Sequence, residues 1–221
     1  MEAKWTEVDE YFAERLAPQD AALEQALADS TAAALPPISV TATQGKFLAM
    51  LAEVCHARRI LEIGTLGGYS TIWMARALAA DGTLVTLEID ARHADVAQKN
   101  IDRAGLADRV QVIVAPAAES LAQLKADGVA PFDLVFIDAD KQSSDTYFEA
   151  ALALSHVGTL IVVDNVVRDG EVTNAASTDA SILGIRRLTE LLAREPRVSS
   201  TAIQTVGSKG YDGFVLARVV A

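Results

Sequence analysis

Two acidic stretches of this 221-residue chain contain side chains that could hold a metal ion. Asp138, Asp140 and Lys141 follow one apolar run, and Asp164 and Asn165 follow another. The carboxylates of Asp138 and Asp164 and the amide of Asn165 are hard oxygen donors, which suit Mg²⁺, Ca²⁺ or Mn²⁺. Either aspartate alone could simply cap the segment that follows it, but the whole set favours a metal site.

Lys141 could serve as a base in the same site. A bound divalent ion would lower the pKa of an acceptor hydroxyl, and Lys141 could take the proton if its own pKa were depressed. The resulting alkoxide or phenolate could then attack an electrophilic methyl group in line, with positioning supplying much of the acceleration. Asp140 could contact a cofactor or cap the helix that follows, and the sequence leaves both open.

A glycine-containing turn lies between an apolar run and a helical pattern. Gly64, Gly67 and Gly68 permit a tight turn and close approach of a ligand, and the helix start near Ser70 leaves N–H groups free. Glu88 stands 24 residues after Gly64, where a carboxylate can accept both hydroxyl protons of a ribose. Glycines alone could serve only as turns, but the combination indicates a nucleoside-bearing ligand.

The spacing of the glycines argues against a dinucleotide. The G-x-G-x-x-G fingerprint of pyrophosphate-binding turns is absent from this segment. Glu62, just before the turn, would be unfavourable beside a diphosphate but suits an ammonium or sulfonium group. The sequence therefore favours S-adenosylmethionine over a nicotinamide dinucleotide.

Short apolar runs alternate with helical patterns and must position these residues. Near-continuous Val, Ile and Leu strands separated by helices indicate a parallel sheet covered on both faces. In such a sheet ligands sit beyond the carboxyl ends of the strands, where all the candidate residues lie. The predicted strands are 59–63, 83–88, 110–114, 132–137, 158–163, 199–206 and 214–219, and the predicted helices are 43–54, 70–79, 91–104, 117–125, 144–154 and 181–193.

The two ends of the chain differ from this pattern. A glycine-rich loop of about seven residues, 207–213, leaves no room for a crossover helix, so the last two strands must be antiparallel. The predicted fold class is therefore α/β, with a Rossmann-like, mostly parallel sheet of seven strands and one antiparallel strand near the C-terminus. Residues 1–35 are predicted to be a helical appendage of one domain spanning 1–221.

Composition and charge exclude several classes of function. The 19 Lys and Arg against 30 Asp and Glu give a net charge of −11, which argues against nucleic acid or an anionic membrane surface as partner. No apolar stretch approaches the roughly 20 residues of a membrane span. The one cysteine, Cys55, and a start without signal-peptide features predict a cytoplasmic protein. The scattered histidines, His56, His93 and His156, are predicted to lie on the surface or in loops.

Taken in order, these motifs resemble those of the class I cation-dependent O-methyltransferases. This group includes the caffeoyl-coenzyme A and catechol O-methyltransferases, and the bacterial small-molecule members are the most similar in pattern. The resemblance runs from about residue 8 to the C-terminus and is carried by the stretches 60–71, 132–141 and 163–165. It implies the S-adenosylmethionine-dependent methyltransferase fold, with helices on both faces of the sheet.

The resemblance also implies a role for each candidate residue. Asp138, Asp164 and Asn165 would bind the divalent cation, Mg²⁺ above all, and Lys141 would be the catalytic base beside Asp138. Glu62, Gly64 and Ser70 would hold the methionine end of the cofactor. The remaining cofactor contacts would be Val40 at the methionine moiety, Glu88 at the ribose, Ala117 at the adenine, and Asp138 and Asp140 between the metal and cofactor regions.

The acceptor is less well defined. After Asn165 the chain lacks the bulky aromatic residues that plant members carry hereabouts for thioester substrates. Tyr211 could line an acceptor pocket or lie on a surface turn. The expected reaction is methylation of one hydroxyl of a vicinal diol, on a catechol-like or hydroxycinnamoyl-like phenol, with S-adenosylhomocysteine as the other product. A homodimer is also implied.

Two other functions are compatible with this type of sheet. A nicotinamide-dependent oxidoreductase would need the third fingerprint glycine and an acid pair such as Tyr-x-x-x-Lys, which the sequence does not offer. A non-catalytic S-adenosylmethionine-binding protein would have no use for Lys141 or for the oxygen ligands.

Overall fold

The computed structural model describes residues 2–221, so that Met1, the first residue of the predicted appendage, lies outside the described residues. Within that range, the strands are β1 (Arg59–Ile63), β2 (Thr83–Glu88), β3 (Val110–Val114), β4 (Phe132–Ile137), β5 (Ser155–Asp164), β6 (Val198–Gly207) and β7 (Gly210–Val219). The helices are α1 (Glu2–Leu16), α2 (Ala21–Ala32), α3 (Ala42–Val54), α4 (Tyr69–Arg76), α5 (Ala91–Arg103), α6 (Ala117–Ala126), α7 (Ser144–Ala153) and α8 (Ala180–Arg194).

The strands form one seven-stranded sheet in the order β3-β2-β1-β4-β5-β7-β6. The first five pair in parallel, and β7 is antiparallel to both of its neighbours, β5 and β6. The predicted fold class is therefore confirmed. The chain runs outward from β1 to β3 and then returns to place β4 on the other side of β1. This reversal makes the carboxyl ends of β1 and β4 a switch point, where ligands of such sheets bind.

A hydrophobic core covers each face of the sheet. Successive side chains of a strand point to opposite faces, so Ile60 packs toward α3, α4 and α5, whereas Leu61 packs toward α6, α7 and α8. The first core includes Leu48, Ile72, Ile101, Leu134 and Phe136, and the second includes Leu121, Phe132, Val135, Phe148 and Leu188. The strands β1 to β4 have the predicted bounds, because each is a short run rich in Val, Ile, Leu or Phe.

The predicted seven-residue loop at 207–213 is wrong. Gly207 pairs with Gly210, so only Ser208 and Lys209 lie outside the β6–β7 ladder. Gly210 has a φ of +93°, a conformation that glycine adopts without steric cost, and this allows the abrupt reversal. The glycine-rich composition belongs to a tight hairpin whose strands remain paired, and the antiparallel orientation of the two strands is confirmed.

The N-terminal segment is helical, as predicted, but only part of it is an appendage. In α2, Leu23 and Ala26 are buried in the core beside α4 and α5. Asp20 caps this helix by accepting a hydrogen bond from the Leu23 N–H at 3.1 Å. Helix α1 contacts α3 and β6, yet it leaves a row of apolar side chains exposed: Val8, Tyr11, Phe12 and Leu16. None of the helices within residues 2–221 is long and apolar enough to cross a membrane.

Candidate active site

The carboxyl ends of β2, β1, β4 and β5 surround a cavity of about 630 Å³. This volume lies in the range typical of small-molecule sites. Most of the residues that the sequence singles out line it: Val40, Gly64, Ser70, Glu88, Ala117, Asp138, Asp140, Lys141 and Asn165. Glu62 and Asp164 lie behind this lining, where they contact the residues that form it.

The turn after β1 packs closely against the end of β4. Gly64 has a φ of +103°, and an added Cβ would overlap the backbone carbonyl oxygen of Asp138. The Asp138 N–H donates to the Ile63 carbonyl oxygen at 2.8 Å, which extends the β1–β4 pairing to this point. Only glycine permits this approach of the two strand ends. Gly64 therefore allows the turn of the predicted cofactor site to lie against the candidate metal ligands.

Glu62 does not line the cavity but contacts Ser70, which does. Its side chain is fully buried and accepts hydrogen bonds from the Ser70 hydroxyl at 2.6 Å and the Thr71 hydroxyl at 2.5 Å. Burial raises the pKa of Glu62 to about 7, although these hydroxyl donors oppose the shift. Ser70 itself lines the cavity at the start of α4. Glu62 therefore orients Ser70 from beneath the turn.

Glu88 faces the cavity and also holds the glycine turn in place. Its Oε2 accepts from the Leu66 N–H at 2.8 Å and the Thr65 N–H at 3.3 Å. Its Oε1 accepts from the N–H groups of Ile89 and Asp90, each at 2.9 Å. One carboxylate thus ties the end of β2 to the turn after β1.

His93 differs from the other two histidines. It lies in α5 and lines the cavity, with its Nδ1 3.6 Å from the Glu88 carboxylate and its side chain 17% exposed. His156 instead pairs with Asp133 at 2.8 Å on the outer surface. The prediction that His93 is a surface or loop residue overlooked its place in the sequence. Because α5 begins directly after the strand that ends in Glu88, His93 lies close to Glu88.

The three candidate metal ligands meet at the ends of β4 and β5. Asp164 is 5% exposed, and burial, reinforced by the negative charge of Asp138, raises its pKa to about 7. Its two oxygens accept from the Gln44 amide at 2.6 Å and the Asn165 N–H at 2.9 Å. Within residues 2–221 no group of three His, Cys, Asp or Glu side chains could hold a metal, so an ion here would depend on the mixed set that includes Asn165.

This donor set fits a hard divalent cation. A buried carboxylate whose charge is disfavoured by a neighbouring carboxylate is stabilised when a cation joins the pair. Gln44 supports the arrangement from α3, a contact that no sequence pattern indicates because Gln44 and Asp164 are 120 positions apart.

Lys141 lies at the start of a single 3₁₀ turn, Lys141–Ser143, directly after the β4 aspartates. Its Nζ donates to Asp138 Oδ1 at 2.7 Å, and its side chain is 10% exposed. Asp140 occupies the capping position of this turn without making a side-chain cap, and it accepts a 2.5 Å hydrogen bond from the Tyr147 hydroxyl instead. Asp140 therefore does not cap the turn that follows it, and it lines the cavity, while its contact with a cofactor stays a prediction.

The loop after β5 completes the wall. Asp212, on β7, accepts hydrogen bonds through Oδ1 from the Val167 N–H at 2.9 Å and the Arg168 N–H at 3.0 Å. Arg168 lines the cavity, which sequence analysis did not anticipate. Tyr211 lies in β7 and donates to Gln204 on β6, so it belongs to a strand and not to a surface turn, and it is not part of the cavity lining.

Comparisons with known proteins agree with this geometry. A sequence model of the O-methyltransferase family matches residues 14–220. A catechol O-methyltransferase from Niastella koreensis is 52% identical over 212 residues, which cover 96% of this chain and 96% of that protein.

Two solved structures are similar along the whole chain. The O-methyltransferase from Bacillus cereus, in complex with S-adenosylhomocysteine, has a TM-score of 0.98 and 56% identity, over 99% of this chain and 100% of that one. The O-methyltransferase TomG from Streptomyces achromogenes, involved in tomaymycin synthesis and solved with S-adenosylmethionine, has a TM-score of 0.97 and 48% identity, over 100% and 99% of the two chains. The chain therefore belongs to the O-methyltransferase family, and it is an S-adenosylmethionine-dependent O-methyltransferase.

Proposed function

We propose that the enzyme methylates one hydroxyl of a vicinal diol on a small phenol, catechol-like or hydroxycinnamoyl-like, and that it needs a divalent cation to do so. The observation that carries this proposal is that Asp138, Lys141 and Asn165 line the cavity that also holds the glycine turn, with Asp164 directly behind Asn165. The name of the Niastella relative, catechol O-methyltransferase, supports the same acceptor class.

Asp138, Asp164 and Asn165 would hold the cation, with Mg²⁺ favoured and Ca²⁺ or Mn²⁺ as alternatives. The chemistry supplied by a cation held there would be a lowered pKa of the reacting hydroxyl. Gln44 keeps the Asp164 carboxylate oriented by its 2.6 Å hydrogen bond.

Lys141 would be the base. As a neutral amine it can accept the proton of the reacting hydroxyl, and the oxygen then takes the methyl group as the cofactor sulfonium becomes a neutral thioether. Asp138, 2.7 Å from the Lys141 nitrogen, stabilises the ammonium group formed by this proton transfer. The low exposure of the Lys141 side chain keeps bulk water from competing for the proton.

The cofactor would extend along the strand ends from β2 to β4. Glu88 would contact the ribose and Ala117 the adenine, while Gly64, Ser70 and the backbone near Val40 would enclose the methionine end. Glu62 would act on that end through Ser70, and Asp140 would lie between the cofactor and acceptor regions. The Bacillus and Streptomyces structures, which hold S-adenosylhomocysteine and S-adenosylmethionine, support this use of the cavity.

We also propose that the enzyme is a homodimer of the cytoplasm. The exposed apolar face of α1, formed by Val8, Tyr11, Phe12 and Leu16, is a surface that a second copy could cover. The single cysteine is consistent with a reducing compartment.

A panel of acceptors tests the reaction. With S-adenosylmethionine and Mg²⁺, mass spectrometry should detect a monomethyl ether of catechol and of 3,4-dihydroxycinnamate. Resorcinol, whose hydroxyls are not adjacent, should remain unmodified. Methylation of resorcinol at the same rate as catechol would contradict the vicinal-diol requirement.

A further inference from the structure

Arg168 lies on the β5 side of the cavity, across β1 and β4 from the end of β2. Glu88 is the last residue of β2, Gly64 follows β1 and Asp138 follows β4. Arg168 lies three residues after Asn165, which follows β5. Adjacent strands of a sheet lie about 4.8 Å apart, so three strand intervals place the loop carrying Arg168 roughly 14 Å from the Glu88 position. Arg168 therefore faces the acceptor side of the candidate metal ligands, away from the cofactor.

Among the described residues that line the cavity, no carboxylate forms an ion pair with Arg168. The acidic side chains of the lining are Glu88, Asp138 and Asp140, and its Lys and Arg side chains are Lys141 and Arg168. Lys141 is committed to Asp138 at 2.7 Å. By contrast, within residues 2–221 the one ion pair of Arg168 is with Asp212, at 4.0 Å, and its guanidinium, on a side chain that is 40% exposed, donates no hydrogen bond.

Hydrogen bonds to Asp212 hold the backbone of the loop at Arg168. The Arg168 N–H donates to Asp212 Oδ1 at 3.0 Å, as does the neighbouring Val167 N–H at 2.9 Å. Both Arg168 and Asp169 have a φ of +55°, a left-handed conformation that is unfavourable for residues with side chains. A loop kept in this conformation by hydrogen bonds presents a guanidinium whose donors are free for a ligand.

We propose that Arg168 binds a carboxylate carried by the acceptor, and that the preferred acceptors are anionic catechols, such as dihydroxybenzoates and dihydroxycinnamates. The inference rests on the proposed methylation of vicinal diols. A planar guanidinium matches a carboxylate in a bidentate pair. In a cavity lined by three acidic side chains, an anionic acceptor needs such a partner, and Arg168 supplies it at the end away from the cofactor.

The test compares acceptors of different charge. Steady-state kinetics of the wild type, R168Q and R168K are measured with 3,4-dihydroxybenzoate, neutral catechol and cationic dopamine. In R168Q the ratio of kcat/KM for dihydroxybenzoate to that for catechol should fall about ten- to hundredfold, as expected for loss of a charge-assisted hydrogen bond. The change should lie in KM, and R168K should restore part of the ratio because it keeps the charge. The control R194Q, at an arginine of α8 with 81% side-chain exposure, should leave the ratio unchanged.

A binding measurement gives a second readout. Calorimetry of dihydroxybenzoate on the enzyme with Mg²⁺ and S-adenosylhomocysteine should show weaker binding to R168Q and R168K than to the wild type. An acceptor ratio that is equal in R168Q and the wild type would overturn the role of Arg168 while leaving diol methylation intact. Failure of the wild type to methylate any of the three diols, with its cofactor bound, would instead overturn the proposed function and this inference with it.

Discussion

Two buried carboxylates, Glu62 and Asp164, show how single residues set the chemistry of the cavity. Burial is the main reason that each has a pKa of about 7. Glu62 accepts hydrogen bonds from hydroxyl groups and orients Ser70. Asp164 accepts a hydrogen bond from Gln44 and lies beside a second carboxylate. The hydrogen-bond partners of Glu62 therefore serve the structure, whereas those of Asp164 would be completed by a cation.

Loss of the Lys141 amine should affect the chemical step. K141M should lower kcat by about 10²- to 10⁴-fold, the usual contribution of a general base. The affinity for S-adenosylhomocysteine, measured by calorimetry, should change little, because Lys141 lies on the acceptor side of the site. K125M, at an exposed lysine of α6, is the matched control. A kcat for K141M within threefold of wild type would remove Lys141 from the mechanism.

The raised pKa of Glu62 should make stability depend on pH. The folded state keeps a proton on Glu62 up to about pH 7, whereas the ordinary value is 4.5. Between these values the folded state binds more protons than the unfolded state, so the contribution of Glu62 to the free energy of unfolding falls as pH rises. Urea denaturation at pH 5, 6, 7 and 8 should show wild type losing stability relative to E62Q.

The exposed Glu149 of α7 provides the control for this series. The difference in free energy of unfolding between wild type and E149Q should not follow the same trend. A constant difference between wild type and E62Q from pH 5 to pH 8 would show that Glu62 does not hold a proton in the folded state.

At the scale of elements, the site depends on how closely the carboxyl ends of neighbouring strands approach each other. The sequence predicted the bounds of β1 to β4 because each is a short run rich in Val, Ile, Leu or Phe. It therefore also predicted that Asp138 and Asn165 share one edge of the sheet. It did not predict the Gln44 contact, since a helical pattern on α3 does not say which distant strand end a polar residue faces. The hairpin at Gly207 and Gly210 was missed because glycine-rich composition does not distinguish a long loop from a tight turn.

Gly64 and Gly105 provide a matched pair for testing the junction of β1 and β4. Both have a positive φ, but an added Cβ at Gly64 overlaps the Asp138 carbonyl, whereas nothing lies within 4 Å of one at Gly105. G105A should cost about 1 kcal/mol of stability from backbone conformation alone. G64A should lower the melting temperature further and weaken binding of S-adenosylhomocysteine. Equal effects of the two substitutions in thermal melts and calorimetry would contradict the close approach of the strands.

At the scale of the whole molecule, charge and apolar surface have separate roles. The net charge of −11 first served to exclude nucleic acid as a partner. The structure gathers Glu62, Glu88, Asp138 and Asp164 at one edge of the sheet, where cationic ligands would be favoured. The exposed apolar residues of α1 lie outside this acidic edge and are available for association.

A charge placed on the apolar face of α1 should dissociate the proposed dimer. Phe12 is 45% exposed and Tyr11 is 54% exposed, and their rings make an edge-to-face contact. F12E should convert a dimer to a monomer in light scattering coupled to size-exclusion chromatography. V157E, which places a charge at an apolar residue of β5 that is 61% exposed, should remain dimeric. A wild type that is monomeric at micromolar concentration would contradict the assignment.

Methyl transfer after removal of divalent cations tests the proposed chemistry most directly. Enzyme stripped with EDTA is mixed with catechol and S-adenosylmethionine, and the methyl ether is quantified by mass spectrometry before and after Mg²⁺ is restored. The metal site proposed at Asp138, Asp164 and Asn165 predicts no methyl ether in EDTA and full recovery with Mg²⁺. Formation of the methyl ether at an undiminished rate in EDTA would contradict it.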